Sequence, residues 1–279
     1  MAIVKSKKGE VPSGKAGRIC FRNTKSGIVM VQLPDKVNNP QTPKQQRGRL
    51  LMSHLTQFFT VLKAELPYAF EGKAPGKTDT NAFVAANYHG EYPVFLPELW
   101  RKNHATVLAP YQVTDGYLPH IHTHKSGSLL RSDISLGDLA VGESTTIGAL
   151  SKAIIANNGD MLRGDVILYL ECWQEVDDMG VPHVSATCRR LRLNPADRHS
   201  ARTLTEGFCP CDGFLGQDSE AEGHADGAAW IHLRQKEEQF HVSPQHLVVR
   251  DISKVLRYGT EEALMNAVNK LKWNDIEPF

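Results

Sequence analysis

Two apolar stretches, Val166–Glu175 and Val184–Leu193, are joined across Asp177-Asp178-Met179-Gly180. Each is rich in residues that favour extended backbone, and the connector carries the Asp and Gly that turns favour. An isolated hairpin is at best marginally stable in water, so this pair needs partner strands and a covering layer. Further strand candidates are Val107–Val113, Ile121–His124, Leu129–Ile134, Ala228–Leu233 and Phe240–Arg250, with Asp115-Gly116 as a turn signal. About seven short strands between residues 106 and 250 predict a single β-sandwich. One helix interrupts them. Ile147, Leu150, Ile154 and Ile155 recur at helical spacing after Glu143–Thr146, and Asn157-Asn158-Gly159 stops the run. Residues 196–226 are polar and Gly-rich and read as a long loop.

The first hundred residues have a different texture. Pro12–Gly17 is turn-rich, and Ile19, Phe21, Ile28, Met30 and Gln32 alternate around a break at Lys25-Ser26-Gly27, which predicts a hairpin. After a break at Asn38–Gln41, Thr42 is placed to cap a helix, and Pro43 suits its first turn, where the missing N–H is not needed. Leu51, Leu55, Phe58, Phe59 and Leu62 form one apolar stripe, and Pro67 sets the helix end near Leu66. A second helix is predicted over Thr80–Ala86, capped by Thr78 or Asp79, with Phe83 and Val84 facing inward. A short third one spans Glu98–Lys102. Near the C-terminus, Thr260 as cap, Glu261 and Glu262 in the first turn and Lys270 at the far end match the helix dipole. The expected organisation is a hairpin-and-helix head over residues 1–104, a β-sandwich over 105–250 and a helical tail over 251–279. The fold class is mainly β.

Charge narrows the function classes. Lys plus Arg is 32 against 31 for Asp plus Glu, so the chain lacks the overall basic excess usual in nucleic-acid-binding proteins. Residues 1–50 hold a local excess, from Lys5 to Arg49, against only Glu10 and Asp35. No stretch of about 18 residues is free of charge, which argues against a membrane-spanning helix. Met1–Lys5 lacks the apolar core of a secretory signal, so a cytoplasmic or virion location is expected. Five cysteines with no framework spacing (Cys20, Cys172, Cys188, Cys209 and Cys211) are expected to be free thiols.

Three features invite a chemical reading. His120, His122 and His124 alternate, so on a strand all three imidazoles share one face, and three histidines can hold a catalytic zinc. A distant ligand would have to come from His224, His232, His241 or His246, among which nothing in the sequence selects. A solvated polar strand is the simpler account. Cys209-Pro210-Cys211 has one intervening residue where redox pairs have two, and lacks the further ligands of a structural zinc site. Gly14-Lys15-Ala16-Gly17-Arg18 lacks the Gly-x-x-x-x-Gly-Lys-Ser/Thr order of a phosphate loop. No catalytic residue, cofactor or metal is therefore assigned.

Several segments together resemble an uncharacterised family of Bacteroidota proteins, a domain of unknown function. They are Gly14–Gly17 with its hairpin, Asn39-Pro40-Gln41-Thr42-Pro43-Lys44-Gln45-Gln46-Arg47, Asn81–Asn87, Asp115–Pro119, Gly227–Ile231 and Tyr258–Ala263. The likeness covers most of the chain and is strongest over residues 12–90; the His120–His124 run and the cysteine-bearing 196–226 segment depart from it. It implies a helical head joined to an immunoglobulin-like sandwich, and a Bacteroidota cell or one of its phages as source. It carries over no catalytic residue. By architectural analogy the leading expectation is a non-enzymatic structural or assembly protein, such as a phage virion, tail or mobile-element component. It would dock to other protein subunits, as a homo-oligomer or a larger assembly, through Leu51, Leu55, Phe58, Phe59 and Leu62 with Arg47 and Arg49 beside them. The alternatives are a metal-dependent enzyme using His120, His122 and His124, and a nucleic-acid-associated protein using the basic head.

Overall fold

The computed structural model describes residues 2–4, 14–24, 27–33, 42–89, 105–126, 129–178, 182–202, 210–217, 225–237, 239–250 and 262. The expected helices at 98–102 and 260–271 lie outside this set, apart from Glu262. Among the described residues the chain is mainly β, with 41% strand against 21% helix. In chain order the elements are β1 (Ala2–Val4), β2 (Gly14–Ala16), β3 (Ile19–Thr24), β4 (Gly27–Gln32), α1 (Pro43–Lys63), α2 (Asp79–Asn87), β5 (Gln112–Thr114), β6 (Thr123–Ser126) and β7 (Leu129–Ser135). There follow α3 (Ile147–Asn157), β8 (Val166–Val176), β9 (Pro182–Arg192), β10 (Pro210–Cys211), β11 (Phe214–Gln217), β12 (Gly227–Lys236), β13 (Gln239–Val242), β14 (Gln245–His246) and β15 (Val248–Val249). No helix among the described residues is long and apolar enough to cross a membrane.

The hairpin that dominates the sequence is also the centre of the structure. β8 and β9 pair antiparallel from Val166↔Arg192 to Val176↔Pro182 without a register shift. β12 joins the other edge of β8, and β13 and β15 pair with β12, completing a five-stranded antiparallel sheet. β8 is buried on both faces from Ile167 to Cys172, so one layer cannot cover it. On one face Ile167, Tyr169, Leu191, Ala228 and Trp230 share a core with Leu130 and Ile134 of β7, Leu215 of β11 and Leu150 and Ile154 of α3. On the other, Leu168, Leu170, Cys172, Ala229 and Ile231 share a core with the α1 stripe and Phe83 of α2. The layers run helices, five-stranded sheet, then the β10-β11-β7-β6 sheet with α3 beside it. The helices at 43–63 and 79–87 thus belong to the same core as strands 166–236.

Local chemistry explains the helix positions. Thr42 Oγ1 accepts from Gln45 N, and Gln45 Oε1 accepts in turn from Thr42 N, a reciprocal capping box with Pro43 just inside. α1 stops at Lys63, short of the expected Leu66, because Leu62 O collects both Glu65 N and Leu66 N and closes the last turn. Thr78 caps α2 and Thr146 caps α3 through the hydroxyl alone, which accepts from Asn81 N and Ala149 N respectively. Ile147 N and Gly148 N donate to His199 O and Asp197 O, so the start of α3 is pinned to the segment after β9.

Two expectations differ from the structure. The expected strand 107–113 is β-paired only at Gln112–Thr114. Residues 105–109 are buried without a ladder, and their polar groups are met by side chains and isolated bonds: Leu108 N donates to Gln174 Oε1, Thr106 N to Pro182 O, and Thr106 Oγ1 accepts from Val184 N. Within the expected 196–226 loop, β10 and β11 form, and β11 adds to the edge of β7. Its alternation is too short to register as a strand period.

The N-terminal strands form a separate four-stranded sheet in the order β1-β4-β3-β2. The register puts Ile19, Phe21, Ile28 and Met30 on one face, and Cys20, Val29 and Val31 on the other. Of these only Ile28 is buried. Among the described residues none of this sheet belongs to either core.

Candidate functional site

The most developed polar arrangement lies where β8 begins and β12 ends. The turn before β8 reaches left-handed backbone at Gly164 (φ 94°), and is clasped to the sheet by Gly164 N donating to Leu193 O and Leu193 N to Asp165 O. Asp165 follows with its side chain only 3% exposed. Its Oδ2 accepts from Leu162 N, from His232 Nε2 at 2.8 Å and from Arg234 Nη2 at 2.8 Å, and its Oδ1 accepts from Arg234 Nε at 2.9 Å. Burial alone would raise this carboxyl's pKa. The hydrogen bonds from Arg234, His232 and Leu162 outweigh it and hold the group well below the usual carboxylate range. Arg234 Nη2 also reaches Asp160 O, so both strand and turn are locked. Leu162, Asp165 and Arg234 border a cleft of about 600 Å³, whose other walls include Arg163, Val166, Arg192, Leu233, Lys236 and Phe240.

A second cleft, of about 410 Å³, shares Phe240 with the first. Tyr68, itself in left-handed backbone (φ 64°), stacks on Phe240 with ring centroids 3.6 Å apart. Glu71 organises this side. Its Oε1 accepts from His241 Nδ1, and its Oε2 accepts from Tyr117 N and Val242 N. The Asp115-Gly116 turn lets these parts meet, since a Cβ at Gly116 would stand 2.2 Å from Val242 O and 2.7 Å from Glu71 Oε2. The result is a carboxylate-oriented imidazole. Among the described residues no serine, threonine or cysteine lines the cleft.

The site residues expected from sequence are placed as follows. Leu51, Leu55, Phe58, Phe59 and Leu62 lie in the interior of their own chain, against the central sheet and α2 instead of the 19–33 hairpin or a neighbouring molecule. Their apolar surface is already used there. Arg49 is exposed on α1, and the side chain of Arg47 is outside the described residues. His120 and His122 are exposed on either side of buried Ile121, with rings 4.6 Å apart, and exposed His124 sits on β6 opposite Arg131. Partial burial, then the charges of His122 and His246, lower the pKa of His120 against the opposing pull of Asp133. Of the distant histidines, His246 acts on His120 through its charge, His232 serves Asp165 and His241 serves Glu71, while His224 lies outside the described residues. Among the described residues no group of three or more His, Cys, Asp or Glu is placed to hold a metal ion. Cys172 lies opposite Ala186 and Cys188 opposite Leu170; both thiols are free, and burial pushes both up, Cys188 to about 12.

Asp165, Arg234 and Glu71 escaped sequence reasoning, which marks His232 and His241 only as candidate distant metal ligands. Asp165 and His232 are 67 residues apart and Glu71 and His241 are 170 apart, and no local motif links either pair. The one available signal was Asp115-Gly116, read as a turn but not as a contact point. No family model matches the chain, and no similar curated protein or solved structure was found.

Proposed function

We propose that this chain is a non-enzymatic structural or assembly protein that joins copies of itself through the N-terminal sheet. One observation carries the reading: among the described residues, that sheet is a single layer with apolar side chains on both faces, most of them only partly buried, and it contributes to neither core. Such a layer is stabilised by covering it, and a second sheet stacked about 10 Å away is the usual cover. The stripe of α1 cannot serve, since it is occupied internally. The docking role moves from the helix to the strands before it. The two facing sheets of the body favour an immunoglobulin-like sandwich as the carrier. A virion, tail or mobile-element component of a Bacteroidota phage or host is the setting this build suits by analogy.

Light scattering of the intact chain at micromolar concentration is expected to show a species larger than 31.0 kDa. The double substitution Phe21→Ser and Met30→Ser, at facing positions of β3 and β4, is expected to shift it to the monomer. A monodisperse wild-type monomer would sink the reading.

A further inference from the structure

We propose that the cleft between the 162–165 turn and the β12–β13 hairpin binds a small organic ligand carrying two or more oxyanion groups on an apolar body. The cleft is lined by four cationic side chains, Arg163, Arg192, Arg234 and Lys236, and two acidic ones, Asp165 and Glu237. Asp165 is fully committed to Arg234, His232 and the turn backbone. Among the described residues the side chains of Arg163, Arg192 and Lys236 have neither hydrogen bond nor ion pair, and all three are exposed. Like charges gathered at one concave site repel each other, and an anion placed among them removes that cost.

The floor is apolar and its position is set by the ladder. Arg192, Val166 and Leu233 are consecutive partners across β9, β8 and β12, so they form one row on the same face of the sheet. Phe240, opposite Gln235, extends this surface. The wall is rigid, because Asp165 ties the turn to β12 and Gly164 is held to Leu193. A cleft of about 600 Å³ falls within the range of small-molecule sites, and fixed walls reduce the ordering cost of binding. Guanidinium groups at two walls suit carboxylate or phosphate alike, since both accept paired N–H donors. The cleft shares no residue with the N-terminal sheet, so the proposal stands apart from the assembly reading.

The test is calorimetric titration of the full chain at low ionic strength with two probes, inorganic pyrophosphate and citrate. Saturable binding of at least one is expected, and which one binds identifies the phosphate or the carboxylate class. Arg163→Gln and Arg192→Gln should each weaken it about tenfold, the loss typical of one charge-assisted contact. Lys125→Gln, an exposed cation on β6 outside the cleft, should leave it unchanged. Absence of saturable binding by either probe overturns the proposal. So does an equal loss in Lys125→Gln and Arg192→Gln, which would mean diffuse attraction to a charged surface.

Discussion

At the scale of single residues, His54 shows how burial sets a charge state. Its Nδ1 donates to Ala105 O and its Nε2 accepts from the Tyr111 hydroxyl at 2.9 Å, a pairing that requires the neutral ring. Burial lowers its pKa to about 4, against a smaller opposing effect of the Ala105 carbonyl. The unfolded chain therefore takes up this proton first as pH falls. Stability from this site is complete above about pH 6.5 and declines toward pH 4, by about 3 kcal/mol in total. Urea titrations at pH 7 and pH 5 should show the loss, and His54→Gln should show a smaller one; equal losses would contradict the assignment. Asp165 loses its contribution in the same direction, on acidification, but at lower pH. With its folded value depressed, its contribution is complete above the usual carboxylate range and lost only in strong acid. Asp165→Asn should destabilise by about 3 kcal/mol, since it strands the Arg234 guanidinium beside a neutral partner. Gly148 is a steric case: a Cβ there would stand 2.4 Å from Asp197 O. Gly148→Ala is expected to lower the melting midpoint although alanine is the better helix former.

At the scale of elements, α1 is stabilised from both ends of the chain's hierarchy. Its capping box sets the start from neighbours in sequence, and its stripe is fixed by strands more than a hundred residues away. Phe58 and Phe59 are fully buried and pack around Phe83, with ring centroids 6.1 and 5.0 Å from it. Phe58→Ala and Phe59→Ala should each cost about 3–5 kcal/mol in denaturant unfolding. A cost below about 1 kcal/mol would mean that the stripe is not the core of this layer. The extended segment 105–111 illustrates the limit of periodicity. It has the apolar content of a strand, but Gln174 Oε1 accepts from Leu108 N, a bond that a ladder would otherwise give. Side-chain substitutes for a ladder leave no period in the sequence.

At the scale of the molecule, two cores sit on opposite faces of one sheet, and β8 contributes to both. Unfolding of the body should therefore be a single cooperative transition. Among the described residues of 1–33 none is a member of either core. A chain without residues 1–33 should keep its melting midpoint within a few degrees and lose self-association. A collapse of the midpoint would show that the N-terminal sheet is part of the body.

The central hairpin, the three described helices with Thr42 as the cap of the first, and the alternation of the N-terminal strands were legible in the sequence, because each is decided by neighbours in the chain: period, turn residues and capping oxygens. Which surface each apolar face would meet was not. The α1 stripe could have faced a partner as readily as its own sheet, since periodicity marks an apolar face but not its cover. The cations gathered around Val166 and Leu233 are brought together by strand register, and the dyads of Asp165 with His232 and Glu71 with His241 by turns that pack against those strands. Register is a property of pairing between strands, set by how whole faces pack, and only the tertiary structure decides it.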